Sequence, residues 1–239
     1  MKTKILIYSL LLIEVLLLLT RSCKKDDERN VETILFNPHL TYGTITDIDG
    51  NVYKTITIGT QTWMAENLKV TKYRNGDTIP NLKVDSDWSN TTKGACCDFN
   101  NSPGNSKTYG KLYNWFALND SRNLAPSGWH VPSEADWAVL MEYLGGKEIA
   151  AIKLAETGKT HWEYQNLVTT NESGFTGLPG SNRNDSGFFS IAAYFGEWWI
   201  STEAPANQAW FSGIYPGYQE VLYTSNPKGC GKSIRCLRD

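Results

Sequence analysis

Apolar and polar positions divide the chain into three stretches of different texture. Residues 5–19 form an apolar run, broken by Ser9 and Glu14 and preceded by Lys2 and Lys4. That run is short for a helix crossing about 30 Å of hydrocarbon, and it has the length of the apolar core of a secretory signal. Residues 24–40 are polar and then mixed, without a clear period. From Thr44 onward the pattern is that of a folded domain. Residues 44–53 read as strand, turn and strand, with Asp49, Gly50 and Asn51 at the turn. Val52, Thr55, Thr57 and Ile58 continue the β-branched bias as far as Gly59.

Helical spacing occurs in three places. Residues 109–118 put Leu112, Trp115 and Phe116 on one face. A second helix starts at Ser133, which can cap it, with Asp136 completing a near capping box. Trp137, Leu140, Met141 and Leu144 form its apolar stripe, and Gly145-Gly146 ends it. Residues 149–155 make a third, shorter helix. After Asn166 the apolar segments are brief and separated by Gly, Pro, Asn and Ser, which predicts strands and long loops. Residues 233–237 alternate at the strand period, so Ile234 and Cys236 should share an inner face. No solenoid or propeller repeat is present. The pattern therefore predicts one α+β domain over residues 41–239, reached through a tether at 23–40.

Composition narrows the function classes. Lys and Arg number 23 against 25 Asp and Glu, a formal charge of −2. No basic excess points to nucleic acid. Aromatic residues make up 12% and include nine Trp, which excludes a mostly disordered chain and suggests a loop-rich domain held by large rings.

Ser22-Cys23 directly follows the apolar run and Thr20-Arg21, and the segment resembles a bacterial lipoprotein signal. Glu14, Thr20 and Arg21 depart from the usual pattern. The resemblance implies removal of residues 1–22 and lipidation of Cys23, which becomes the new N-terminus. A signal anchor or an uncleaved signal is the other reading. Cys23-Lys24-Lys25-Asp26-Asp27-Glu28 is similar to the export signal of Bacteroidetes-type surface lipoproteins. It implies an outer-membrane, lipid-anchored protein at the cell surface, with the membrane as its first partner. A solvated tether explains the same residues.

Eight motifs carry a second resemblance. Residues 47–53 lead into Ile58-Gly59-Thr60-Gln61-Thr62-Trp63-Met64-Ala65-Glu66-Asn67-Leu68; then come Tyr109-Gly110-Lys111-Leu112-Tyr113-Asn114-Trp115 and Pro126-Ser127-Gly128-Trp129-His130-Val131-Pro132. Tyr143-Leu144-Gly145-Gly146, Asn171-Glu172-Ser173-Gly174-Phe175, Leu178-Pro179-Gly180 and the ending Ser233-Ile234-Arg235-Cys236-Leu237-Arg238-Asp239 follow in order. Together they resemble the Fibrobacter succinogenes major paralogous domain. Its members are secreted proteins and lipoproteins without an established activity. The resemblance implies a C-type-lectin-like α+β fold, shared with the formylglycine-generating enzyme. In that fold two main helices pack on a small twisted antiparallel sheet, and long loops carry binding.

Export implies an oxidising compartment, where disulfides form. Cys96, Cys97, Cys230 and Cys236 allow three connectivities, and adjacent cysteines rarely bridge each other. Their spacing is not that of a zinc finger. The resemblance places Cys97 at a family position, whereas Cys96 and Cys230 are additions and Ala125 stands where many members have Cys. It implies a Cys97–Cys236 bond, with Cys96–Cys230 as a second; a local Cys230–Cys236 bond is the competing outcome.

The remaining constellations are weaker. Asp47-Ile48-Asp49-Gly50-Asn51 resembles the start of a calcium loop but lacks the later Glu, and a hairpin turn explains it. Glu203-Ala204-Pro205 and Trp198-Trp199 do not match the calcium motifs of sugar-binding lectins. His39, His130 and His161 have neither metal nor triad spacing. No cofactor, metal or catalytic residue is therefore assigned. Tyr215 and Tyr218, flanking Pro216-Gly217, are the best exposed aromatic pair for ligand binding, while Trp63, Trp115, Trp129, Trp137 and Trp199 belong to the core. The resulting expectation is a surface-anchored, non-enzymatic binding or adhesion module for glycan or protein. The alternative is an enzyme of the formylglycine-generating fold using Cys230 or Cys236.

Overall fold

Asp47 closes the first hairpin by satisfying its own turn. One carboxylate oxygen accepts the backbone N–H of Asp49 and of Asn51, each at 2.9 Å. The other accepts from Asn51 Nδ2 at 2.8 Å and from the Tyr53 hydroxyl at 2.5 Å. This pairs β1 (Gly43–Thr46) with β2 (Val52–Ile58), which pairs in turn with β3 (Gln61–Met64). The computed structural model describes residues 33–163, 168–205, 207–215 and 217–239. The apolar leader and Cys23 lie outside the described residues. Residues read as tether already touch the domain: Leu35 N–H donates to Glu156 Oε1 at 2.6 Å, and Phe36 packs on Tyr42.

The other elements follow in chain order. They are α1 (Asp85–Asn90), β4 (Cys96–Cys97), α2 (Pro103–Tyr109), β5 (Leu112–Asn114), α3 (Trp115–Leu118), β6 (Trp129–His130), α4 (Glu134–Tyr143) and α5 (Lys147–Leu154). The second half gives β7 (Gly196–Ala204), β8 (Gln208–Ile214), β9 (Leu222–Pro227), β10 (Gly231–Lys232) and β11 (Leu237–Arg238). They build a five-stranded sheet β1-β2-β3-β11-β6 and two three-stranded sheets, β10-β5-β4 and β7-β8-β9. All neighbours within these sheets run antiparallel.

The architecture corrects the expected α+β, C-type-lectin-like fold. The chain is mostly β, with three sheets in place of one, and its longest described helix, α4, has ten residues. Among the described residues, no pair of main helices packs on a single sheet. The helix expected over 109–118 shows why. Gly110, at φ +75°, ends α2, and a Cβ there would come within 2.6 Å of Asn67 Cβ. Lys111 N–H then bonds to Leu68 O at 2.9 Å, and Leu112 and Tyr113 pair with Cys97 and Cys96. Only the four-residue α3, capped by Asn114, stays helical. Strand pairing across the fold outweighs the local helical spacing.

Where local chemistry suffices, the expectations hold. Ser133 caps α4 in a full capping box with Asp136, and Gly145 and Gly146 at positive φ follow its end. The short helix expected at 149–155 is α5. Trp63, Trp115, Trp129, Trp137 and Trp199 are all buried. Trp63, Trp137, Phe175 and Trp198 meet at ring-centre distances from 5.2 to 6.4 Å, chiefly edge to face.

The closing segment differs from the expected alternating strand. Ile234 and Cys236 are buried as expected, but Ser233 and Arg235 are equally buried. Ile234 O accepts from Leu68 N–H on one side, and Ser233 O from Trp199 N–H on another, at 2.9 and 3.1 Å. A segment covered from both sides has no solvent face to alternate with.

Candidate ligand-binding surface

Tyr215 and Tyr218, the aromatic pair singled out in the sequence, follow β8. Tyr218 is 66% exposed, and its N–H donates to Tyr215 O at 3.2 Å. Tyr215 is only half-exposed and lies edge-on to Phe195 with ring centres 5.5 Å apart; Phe195 is 5.5 Å from Tyr194. Its ring covers Gly213, where a Cβ would come within 2.7 Å of the ring carbons. Ser181 holds the other side, its N–H donating to Phe195 O at 2.7 Å and its hydroxyl to Ile191 O at 3.0 Å. Tyr194, Phe195 and Tyr215 thus form an aromatic ridge on loops beside the β7-β8-β9 sheet, and exposed Tyr218 follows three residues after Tyr215. Sequence reasoning missed Tyr194 and Phe195, although the Tyr-Phe doublet beside Gly196 was a readable signal.

The ridge is anchored from beneath. The Tyr215 hydroxyl donates to Glu197 Oε1 at 2.6 Å, and burial together with the Glu197 charge pushes its pKa well up. Glu197 is itself buried, and its Oε2 accepts from Asn182 Nδ2 at 3.0 Å and from the buried Lys232 ammonium. Lys232 Nζ lies 3.7 Å from the centre of the Phe211 ring and 5.3 Å from that of Trp199.

Three residues further on, Arg235 is buried, and among the described residues no carboxylate hydrogen-bonds to it. It donates to Asn67 Oδ1 at 2.9 Å, to Thr176 O at 2.8 Å and to Phe175 O. Its guanidinium stacks 4.1 Å from the Phe175 ring centre. Burial drives its pKa down to about 9. Neither cation was singled out from the sequence, because a lone Lys or Arg in a closing strand ordinarily reads as its solvent face.

Cys96, Cys97, Cys230 and Cys236, the described cysteines, are free and buried; neither Cys97–Cys236 nor Cys96–Cys230 is bonded. Cys96 and Cys97 are neighbours on β4 and point to opposite faces. Cys96 therefore joins the cluster that holds Cys230 and Cys236, while Cys97 packs with Trp88, Phe99 and Leu112. Burial raises the thiols of Cys96 and Cys97 to about 12 and of Cys230 to about 11, and pushes Cys236 up further. Thiols so desolvated are poor nucleophiles.

The remaining candidates are engaged in structure. Asp49, beside the turn, accepts from the N–H and hydroxyl of Thr71, and Lys72 lies 3.1 Å away. Half-exposed His130 lies between Asp239, at 2.7 Å, and Asp136, at 3.4 Å. His161 is buried against Glu156 at 2.6 Å. His39 N–H donates to Asn37 Oδ1 at 3.0 Å. Among the described residues, no group of three or more His, Cys, Asp or Glu is placed to hold a metal ion. No described helix is long and apolar enough to cross a membrane.

The sequence profile described as the Fibrobacter succinogenes major domain matches residues 56–238. No curated protein and no solved structure matches the chain.

Proposed function

We propose, from the premise that this chain belongs to the Fibrobacter succinogenes major domain family, that it is a surface-anchored binding or adhesion module. Its ligand is a glycan or a protein. The observation that carries the reading is the packing of the Tyr194, Phe195 and Tyr215 rings, with Tyr218, three residues beyond Tyr215, open to solvent. Such rings stack on sugar faces or anchor a protein partner at little entropic cost, because their positions are set beforehand. The enzymatic alternative has less support: Cys230 and Cys236 are both buried, with raised thiol pKa values.

A glycan and protein array probed with the purified chain tests this reading. Tyr218→Ala should abolish any captured ligand's signal while shifting stability by no more than about 0.5 kcal/mol, as surface substitutions do. A ligand bound equally by both forms would place the site elsewhere. The anchor is tested separately through Cys23, which directly follows the apolar run. Cys23→Ser should move the protein from the membrane fraction to the soluble fraction; unchanged fractionation would remove the lipid anchor.

A further inference from the structure

Lys232, Glu197 and Asn182 meet at a single atom. Glu197 Oε2 accepts from both the Lys232 amine and the Asn182 carboxamide, the latter at 3.0 Å, while the Tyr215 hydroxyl holds the other oxygen. Lys232 is 1% exposed and Glu197 4%. The rings of Phe211 and Trp199 flank the amine. Backbone bonds fix all three side chains in place. Arg183 and Gly231 exchange two hydrogen bonds, at 2.9 and 2.7 Å, and Ser233 N–H donates to Glu197 O at 3.2 Å. Asn182 and Lys232 each stand next to a residue of this lacing.

We propose that Lys232 and Asn182 become joined by an intramolecular isopeptide bond, with Glu197 as the catalytic residue that carries the protons. A proton passes from Lys232 Nζ to Glu197, and the freed lone pair attacks Asn182 Cγ. The carbonyl π pair moves onto Oδ1, giving a tetrahedral centre. Glu197 gives that proton to the carboxamide nitrogen, then takes a second from Nζ and passes it to the departing nitrogen, carrying one proton at a time. The lone pair on Oδ1 reforms the carbonyl, the Cγ–Nδ2 bond breaks and ammonium leaves. A Cγ–Nζ amide has formed, Glu197 is again a carboxylate, and no oxidant, reductant or cofactor is consumed. Apolar rings beside a reacting amine exclude water that would solvate the charge or compete for the carbonyl. The bond would tie the loop carrying Ile191, Tyr194 and Phe195 to the closing segment without using a thiol.

The test is a tryptic map of the full-length protein after denaturation and reduction. The expected product is a branched peptide: residues 160–183, holding Asn182, joined to residues 229–235 left uncut at Lys232, and lighter than the two together by one ammonia. Glu197→Gln and Asn182→Ala should each give linear peptides 160–183, 229–232 and 233–235 at their sequence masses. Asn182→Ala keeps the Lys232–Glu197 pair, so it reports on the bond even if Glu197→Gln folds poorly. Linear 160–183, 229–232 and 233–235 from the unaltered protein, the last two by cleavage after Lys232, would overturn the proposal. A branch to residues 184–228, lighter by one water, would also overturn it by placing the bond on Glu197.

Discussion

Lys232 and Arg235 lie three residues apart on the closing segment, each 1% exposed, yet their surroundings differ in kind. Around Arg235 the acceptors are two carbonyls and an Asn side chain, spread so that the planar guanidinium fork meets each one. None of them can take its proton or its place in a bond. That region works as a clamp, fastening residues 175–176 and Asn67 to the closing segment. Around Lys232 there is one carboxylate, and a carboxamide donates to the same oxygen of it. A guanidinium there would have no reactive lone pair, and an ammonium at position 235 would leave carbonyls unmet. Two buried cations on one segment thus do different work, because one kind of neighbour only accepts hydrogen bonds and the other can also move protons.

The largest expected effect separates the two regions directly. Glu197→Gln should cost about 7–9 kcal/mol, roughly 4 of it from losing a closed loop of some fifty residues and about 3–5 from the buried amine left without its carboxylate. Denaturant unfolding under reducing conditions measures it, and coincident midpoints for the variant and the parent would erase the contrast. Arg235→Lys should cost less, about 2 kcal/mol, because the charge stays but the fork no longer reaches all its carbonyls. Calorimetry should find that loss at Arg235 without any change in the tryptic map. A Lys at 235 as stable as Arg would mean that charge alone, and not geometry, holds the clamp.

The smallest effect is a dependence on acid that belongs to neither cation. Burial opposes ionisation of Asp98, yet hydrogen bonds from Lys111 and Ser106 hold its pKa below the ordinary 3.8. Asp49 and Asp136 are held low as well, against burial, by Thr71 and Lys72 and by Ser133 and His130. Carboxyls whose pKa falls on folding stabilise the protein above their unfolded value, and that stability is lost as protons bind the native form. Stability should therefore fall as pH drops below about 4, and Asp98→Asn should flatten part of that fall in acid-unfolding curves. A curve unchanged by the substitution would clear Asp98 of the role.

What could be read in advance follows the range of the interactions. The hairpin at Asp47 and the Ser133 capping box are settled within a few residues, so the chemistry of Asp, Gly, Asn and Ser announces them. The family register and the buried Trp residues were legible for a related reason, since such large rings in ordered motifs have few places to go. The expected helix at 109–118 failed because its spacing suits two structures. Pairing of Leu112 and Tyr113 with β4 chose between them. Tyr218 was legible as an exposed aromatic beside a Pro-Gly turn, but Tyr194 and Phe195 joined the ridge only through Ser181 and Tyr215.

By itself, then, the chain determined its family, the Trp core, the first hairpin and the capped helix, each through residues close in sequence or too large to leave outside. Tertiary structure alone decided that three sheets form in place of one, and that Lys232 and Arg235 face inward. It also decided that Asn182, Glu197 and Lys232 share an oxygen. The physical reason is distance along the chain: Arg235 lies 168 residues from the Asn67 side chain it bonds and Lys232 lies 35 from Glu197. No local pattern encodes a partner so remote, and a buried cation is tolerable only once that partner has arrived.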